Sequence, residues 1–106
     1  RLVITILLAG IIGWNRERRK QGAGFRTHIL VGIAAASFMI LGLKLTQDSG
    51  MGDPMRIIQG VAMGIGFLGA GTILQIPSEH KVQGLTTAAS LWTTSAIGLA
   101  VGAGHI

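Results

Sequence analysis

Three long stretches of this 106-residue chain carry no formally charged side chain when histidine is counted as neutral. They cover residues 27–43, 57–78 and 82–106, which are 17, 22 and 25 residues long. A helix of about 20 mostly apolar residues crosses the hydrocarbon core of a bilayer. The stretches therefore predict membrane-spanning helices at about 28–45, 57–76 and 85–104.

The opening segment is apolar as well, but it is shorter. Residues 2–14 read LVITILLAGIIGW, which is short for a complete crossing. The segment has neither a starting methionine nor the layout of a signal peptide. We therefore expect residues 1–14 to be the second half of a first span. The predicted fold is an all-α polytopic transmembrane helical bundle, with four spans in a single domain over residues 1–106 and with glycine-rich packing.

A soluble bundle of buried helices is the alternative fold, and the composition argues against it. Such helices need polar outer faces, yet residues 57–76 offer only Gln59, Thr72 and Gln75 as polar side chains. Only 12% of the residues are charged, against about 25% in an average soluble domain. The chain also has 17 glycines, and each interior glycine costs a soluble helix about 1 kcal/mol relative to alanine. The absence of cysteine excludes disulfides and thiolate metal sites.

Five of the nine basic residues are concentrated between the first two predicted spans. They are Arg16, Arg18, Arg19, Lys20 and Arg26. Cytoplasmic loops of membrane proteins carry the excess of Lys and Arg, so the basic loop 15–26 is predicted to be cytoplasmic. The cluster is also suited to contact with anionic lipid or to docking of a protein partner. Nucleic-acid binding is not expected, because the other basic residues are scattered.

The segment MGIGFLGAGTIL, residues 63–74, contains the pattern G-x-G-x-x-G at Gly64, Gly66 and Gly69. A dinucleotide-binding turn needs a strand before these glycines, a helix after them and an acidic residue about 20 positions further on. Here the pattern lies within an uncharged stretch, and the only acid that follows, Glu79, comes ten residues after Gly69. Nucleotide binding is therefore not expected.

Close packing of helices accounts for the same glycines. In lipid, small residues spaced four apart allow two helix backbones to approach, and Gly60 and Gly64 have this spacing. Two adjacent small-residue faces predict that the third span is the central helix of the bundle. The expected packing positions are Gly60, Gly64, Gly66, Gly69 and Gly71.

Hydroxyl side chains are frequent in the fourth predicted span. They are Thr86, Thr87, Ser90, Thr93, Thr94 and Ser95. One interpretation is hydrogen bonding between helices or back to the carbonyl one turn earlier. The other is the lining of a hydrophilic cavity.

The segment GDPMR precedes the third span, and its charged residues also have two interpretations. Asp53 suits the N-cap and Pro54 the first helical position, with Arg56 as a partner for Asp53. Alternatively, Asp53 and Arg56 form a site for an ion or a partner. Asp48 and Asp53 in one loop fit a hard cation such as magnesium, although two carboxylates alone do not identify a metal site. No set of nucleophile and base is apparent, so neither an enzyme nor a cofactor is expected.

Four segments together resemble the MgtC/SapB family of bacterial inner-membrane proteins. They are AGFRTHILV, DPMRIIQG, GIGFLGAGTIL and VQGLTTAASLWTTSAIGLAVGAG, in the family's order and spacing. The family has about five spans, so the resemblance implies a membrane domain truncated at both ends. Its motifs match Arg26 and His28 in the first segment, Asp53 and Arg56 in the second, and Thr87 in the fourth. These five residues are the functional candidates beyond packing.

The resemblance implies a multi-pass protein of the bacterial inner membrane, not an enzyme, linked to low-magnesium adaptation, virulence and stress response. It implies regulation through contacts with other membrane proteins, such as ATP synthase, and we expect a homo-oligomer, with a dimer favoured, embedded in membrane lipid. A transporter or channel for magnesium or another ion is the alternative. No predicted span carries a central acid that would serve an ion relay. A purely structural subunit is a further alternative.

Overall fold

The described part of the chain consists of four helices and one short two-stranded ribbon. A computed structural model describes residues 1–18, 23–76 and 81–105. The helices are α1 (Leu2–Arg18), α2 (Phe25–Ser49), α3 (Met55–Ala70) and α4 (Leu85–Gly102). Strands β1 (Leu74–Ile76) and β2 (Lys81–Gln83) pair antiparallel, with Gln75 opposite Val82.

The prediction of a helical fold is confirmed, because a helix covers most of each predicted span. Helix α1 continues to Arg18, so the first residues of the predicted basic loop 15–26 are helical. Arg19 and Lys20 of that loop lie outside the described residues.

The prediction for the end of the third span is wrong. Helix α3 stops at Ala70, and residues 74–76 of the predicted span form β1 instead. The Thr72 hydroxyl donates a 2.7 Å hydrogen bond to the carbonyl oxygen of Gly69. This bond satisfies one of the carbonyls that a helix end leaves without an internal partner, and the chain then enters the ribbon.

The turn between α2 and α3 has the capping chemistry that its sequence predicts. Gly50 adopts a left-handed conformation, with φ of 69°, and its N–H donates to the carbonyl of Thr46. Asp53 Oδ1 accepts a 3.0 Å hydrogen bond from the N–H of Met55, and Pro54 already has helical backbone angles. Asp53 is therefore the N-cap of α3 by geometry.

Helix α4, rather than α3, is the central helix. It packs against α1, α2 and α3, whereas α3 packs mainly on α4 and only weakly on α2. The expectation of a central third span is therefore wrong. The fully buried apolar residues are mostly small, and they include Ala9, Ala35, Ala36 and Val101. Small core residues let α1, α2 and α4 approach closely.

Helix α2 is long and apolar enough to cross a membrane by length and composition, and it alone meets this test among the described helices. Helix α3 is apolar but has only 16 residues. Large apolar side chains cover the outer faces of α1 and α2: Val3, Leu7, Ile11, Leu30, Phe38 and Leu41 are all exposed. Contiguous apolar faces of this kind are rare on soluble monomers and suit contact with lipid.

Candidate functional site

The structure separates the five functional candidates into two groups. Arg26 and His28 lie in the first turn of α2, and Thr87 lies in the first turn of α4. Asp53 and Arg56 lie past the other end of α2. Because α2 has 25 residues, it is about 37 Å long. No direct contact joins the two groups across that distance, so they cannot form one site within this chain.

His28 is the centre of the first group. Its side chain is fully buried. Its Nδ1 lies 2.8 Å from the carbonyl oxygen of Gly24, and its Nε2 lies 2.9 Å from Ser90 Oγ. A carbonyl oxygen only accepts, so Nδ1 carries the hydrogen and donates it to Gly24. We call Gly24, His28, Thr87 and Ser90 the His28 junction.

Ser90 links the imidazole to the backbone of α4. Its Oγ also lies 2.7 Å from the carbonyl oxygen of Thr87. A hydroxyl has one hydrogen, which Ser90 directs either to His28 Nε2 or to the Thr87 carbonyl. The junction therefore ties the start of α2 to α4 through a side-chain hydrogen bond between residues 62 positions apart.

A serine within hydrogen-bonding distance of a histidine is also the geometry of a nucleophile and its base. The sequence analysis did not predict this pair. The buried His28 ring offers a substrate no exposed surface. Three cavities of about 450, 480 and 420 Å³ lie elsewhere among the described residues, and neither His28 nor Ser90 lines any of them. We therefore interpret the pair as a hydrogen bond that holds two helices together.

Thr87 contributes its backbone, and not its hydroxyl, to the junction. The residue is 1% exposed, and Thr87 Oγ1 has no hydrogen-bond partner among the described residues. Arg16 Nε at the end of α1 is likewise buried without such a partner. A buried polar atom without a partner costs about 1–3 kcal/mol.

Three further hydroxyls of α4 are bonded to their own helix. Thr93 donates to the carbonyl of Ala89 at 3.0 Å, and Thr94 donates to that of Ser90 at 2.8 Å. Ser95 donates to the carbonyl of Trp92 at 2.6 Å. This geometry matches the first of the two interpretations of the hydroxyl stripe, back-bonding within the helix. The single hydroxyl hydrogen of each of these three side chains is therefore already used in a hydrogen bond.

At the far end of α2, Asp53 and Arg56 are exposed. Asp53 uses one carboxylate oxygen to cap α3. Among the described residues, no three His, Asp or Glu side chains come close enough to hold a metal ion together. Asp48, in the last turn of α2, and Asp53 are both exposed.

The predicted packing glycines differ in what surrounds them. Gly69 is buried, and an added Cβ would lie 3.3 Å from the Cβ of Ala88 on α4. At Gly71, an added Cβ would approach only the carbonyl oxygen of Leu68, in the same segment. At Gly60, Gly64 and Gly66 it would meet nothing within 4 Å in the described structure. Packing at these three positions is therefore absent among the residues that the structure describes.

Other glycines, which the sequence analysis missed, form the tight contacts. An added Cβ on Gly98 would lie 2.5 Å from the carbonyl oxygen of Gly32, and one on Gly102 would lie 2.7 Å from that of Ala36. Gly13 approaches the backbone of Phe25 in the same way, at 2.8 Å. Gly98 and Gly102 are spaced four apart, as are Gly32 and Ala36. This is the spacing used to select Gly60 and Gly64, so the signal was present.

Comparison with known proteins gives matches along nearly the whole chain. The MgtC family matches over residues 2–106. "Putative magnesium transporter YhiD" of Escherichia coli (strain K12) is 43% identical over 98% of this chain and 50% of the relative. "Protein SrpB" of Synechococcus elongatus is 42% identical over 98% of this chain and 62% of the relative. "Protein MgtC" of Brucella abortus (strain 2308) is 43% identical over 96% of this chain and 41% of the relative.

The chain thus spans about half the length of the curated relatives that it matches. No solved structure matches it. The family match covers the motifs that carry Arg26, His28, Asp53, Arg56 and Thr87. The resemblance inferred from those segments is therefore confirmed, and the chain belongs to the MgtC family of membrane proteins.

Proposed function

We propose that this protein is a non-enzymatic regulator in the bacterial inner membrane, and that it acts through contacts with other membrane proteins during low-magnesium stress. One observation carries the proposal. Three of the six hydroxyls of central α4 that suggested a hydrophilic lining, those of Thr93, Thr94 and Ser95, are bonded to their own helix. The cavities beside α4 are lined mainly by apolar side chains. Such a bundle offers surfaces for contact more readily than a path for an ion.

We place all four helices in the bilayer, with the basic segment 15–26 on the cytoplasmic side. The apolar outer faces of α1 and α2 support this placement, because they suit lipid. Helix α4 carries no charged residue, and α3 carries only Arg56, in its first turn. With this placement, Arg16, Arg18 and Arg26 lie on the cytoplasmic side, where membrane proteins carry their excess of basic residues.

Arg26 is the best candidate for a contact with a partner at that side. Its side chain is exposed, while His28 two positions later is locked into the junction. The local backbone is therefore held in place while the guanidinium remains free to pair with an acidic group. A subunit of ATP synthase is the partner that the family resemblance suggests.

Two assays test the proposal. In a strain that lacks the protein, growth at low magnesium should be restored by the wild type and by Arg18→Ala, but not by Arg26→Ala, at matched membrane levels. Arg18 is the control because it is an equally exposed arginine outside the family motif. In liposomes containing a magnesium-sensitive dye, the purified protein should give no uptake above protein-free vesicles. Full restoration by Arg26→Ala would contradict the proposal.

Magnesium transport is the second candidate, because one relative is named "Putative magnesium transporter YhiD". Asp48 and Asp53 are then the outer acids that meet the hydrated ion. Uptake by the wild type that is lost in Asp53→Asn would establish this candidate in place of the regulator. The amide keeps the helix cap, so a loss of uptake would report on the charge and not on folding.

A further inference from the structure

The outer face of α3 is an uncovered surface with a defined pattern. Arg56, Gly60, Met63 and Phe67 follow one another at intervals of four, three and four residues, which places them on one side of a helix. All four are exposed, and Phe67 and Met63 are 87% and 70% exposed. Gly60 and its neighbour Gly64 have open space above them. We call these five residues the α3 outer face.

The contact between α2 and α4 shows how a helix face with this spacing packs when another helix covers it. On α4, Gly98 and Gly102 have the same spacing as Gly60 and Gly64, and they lie directly on the α2 backbone at Gly32 and Ala36. The contact is close enough that no side chain fits between the helices. The α3 outer face has the same small-residue spacing, with a flexible Met and an aromatic ring beside it. Gly60 and Gly64 line the open cavity of about 450 Å³ that α3 shares with α2, and no described atom lies within 4 Å of a Cβ added at either.

We propose that the α3 outer face binds the α3 outer face of a second copy of this chain, which makes the protein a homodimer. This inference rests on the membrane placement proposed above. Chains inserted in the same direction present the same level of α3 to each other, and a two-fold axis makes the contact self-complementary. Gly60 and Gly64 then allow close approach of the two helices, while Met63 and Phe67 pack around them.

Charge complementarity supports a second copy as the occupant. Each chain presents one exposed base, Arg56, within the face, and one exposed acid, Asp53, less than one turn before it. In a parallel pair, Arg56 of each copy lies beside Asp53 of the other, so two ion pairs form at the end of the contact. Asp53 is held in position because it caps α3.

The chain contains no cysteine, so single-cysteine cross-linking in native membranes tests the dimer directly. Met63→Cys and Phe67→Cys should each give a dimer under mild oxidation or with a short thiol cross-linker. Leu7→Cys and Ile11→Cys on α1 should not give a dimer, although Leu7 is 62% exposed and Ile11 is 68% exposed. The proposal would be overturned if neither Met63→Cys nor Phe67→Cys gave a cross-linked dimer, or if Leu7→Cys and Ile11→Cys gave as much dimer. It would also be overturned if the cysteines formed adducts only with a different polypeptide.

A second measurement separates the dimer from the fold and from the membrane placement. Gly60→Leu should elute as a monomer in detergent and keep its helical circular-dichroism spectrum, because no described atom lies within 4 Å of a Cβ added at Gly60. Arg56→Glu should also weaken the dimer. A wild type that stays in the membrane fraction but is monomeric by light scattering would reject the dimer alone. A wild type that is soluble without detergent would reject the membrane placement as well.

Discussion

Gly98 of α4 lies so close to Gly32 of α2 that a Cβ on Gly98 would come within 2.5 Å of the Gly32 carbonyl oxygen. A real Cβ cannot occupy that position, so the two backbones would have to separate. The contact fixes the distance between the central helix and its nearest neighbour.

We therefore expect Gly98→Ala to destabilise the protein even though it adds a single methyl group. Overpacking of a rigid contact costs about 1–3 kcal/mol, which should lower the Tm measured in detergent. Gly66→Ala is the matched control, because it adds the same group to the interior of α3, outside the α3 outer face, where no described atom lies within 4 Å of the new Cβ, and it should leave the Tm unchanged or higher. Equal Tm values for the two variants would contradict the tight α2–α4 contact.

The His28 junction should contribute measurably to the α2–α4 contact. Ser90→Ala removes one hydrogen bond between helices, and such bonds average about 0.6 kcal/mol in bilayers. His28→Ala also removes a fully buried ring, and we expect it to cost about 2–5 kcal/mol. Unfolding equilibria of the two single variants and the double variant give the coupling energy. Strictly additive losses would show that the hydrogen bond is not formed.

Thr87→Val should be tolerated or slightly stabilising. The two side chains have similar shapes, and Thr87 Oγ1 has no partner among the described residues, so the substitution removes a buried polar atom that costs free energy. We expect the free energy of unfolding to stay the same or rise by about 1 kcal/mol. Thr87→Ser keeps the hydroxyl and serves as the control.

A large loss of stability in Thr87→Val would mean that its hydroxyl does have a partner. Loss of low-magnesium growth with unchanged stability would instead assign the hydroxyl a direct role in function.

Asp53 should act on helix stability through its carboxylate oxygen rather than through its charge. Asp53→Ala removes the hydrogen bond to the Met55 N–H, and loss of an N-cap costs about 1 kcal/mol. Asp53→Asn keeps an acceptor oxygen and should leave the Tm close to that of the wild type. Equal destabilisation by both variants would indicate that the negative charge, and not the cap, is what α3 requires.

The helices could be predicted from the sequence because uncharged stretches and caps are local signals. Asp53 and Pro54 marked the start of α3, and the structure has the corresponding capping hydrogen bond. The ribbon was missed because Leu74–Ile76 continues an apolar stretch that also suits a helix. The chain passes from the ribbon into α4 at Gly84, where φ is 96° and an added Cβ would clash with the carbonyl oxygen of Thr72. That clash is a tertiary effect.

The sites were harder to predict, because their partners are far apart in the chain. His28 and Ser90 were each noticed separately, but their hydrogen bond joins positions 62 residues apart. The glycine spacing identified a suitable kind of contact but not the pair of helices that approach most closely within the chain. The same spacing occurs at Gly98 and Gly102, which were not selected, and only the three-dimensional arrangement shows that α2 covers them.

Helix α3 is attached to the bundle differently from the other helices. The Trp92 indole N–H donates a 3.1 Å hydrogen bond to the Ala62 carbonyl, and Ile57, Ile58 and Val61 touch the core through side chains. Cavities of about 450 and 420 Å³ lie on its two sides. Side-chain tips can slide where interlocked backbones cannot. We therefore expect a displacing force to shift α3 before it separates α1, α2 and α4.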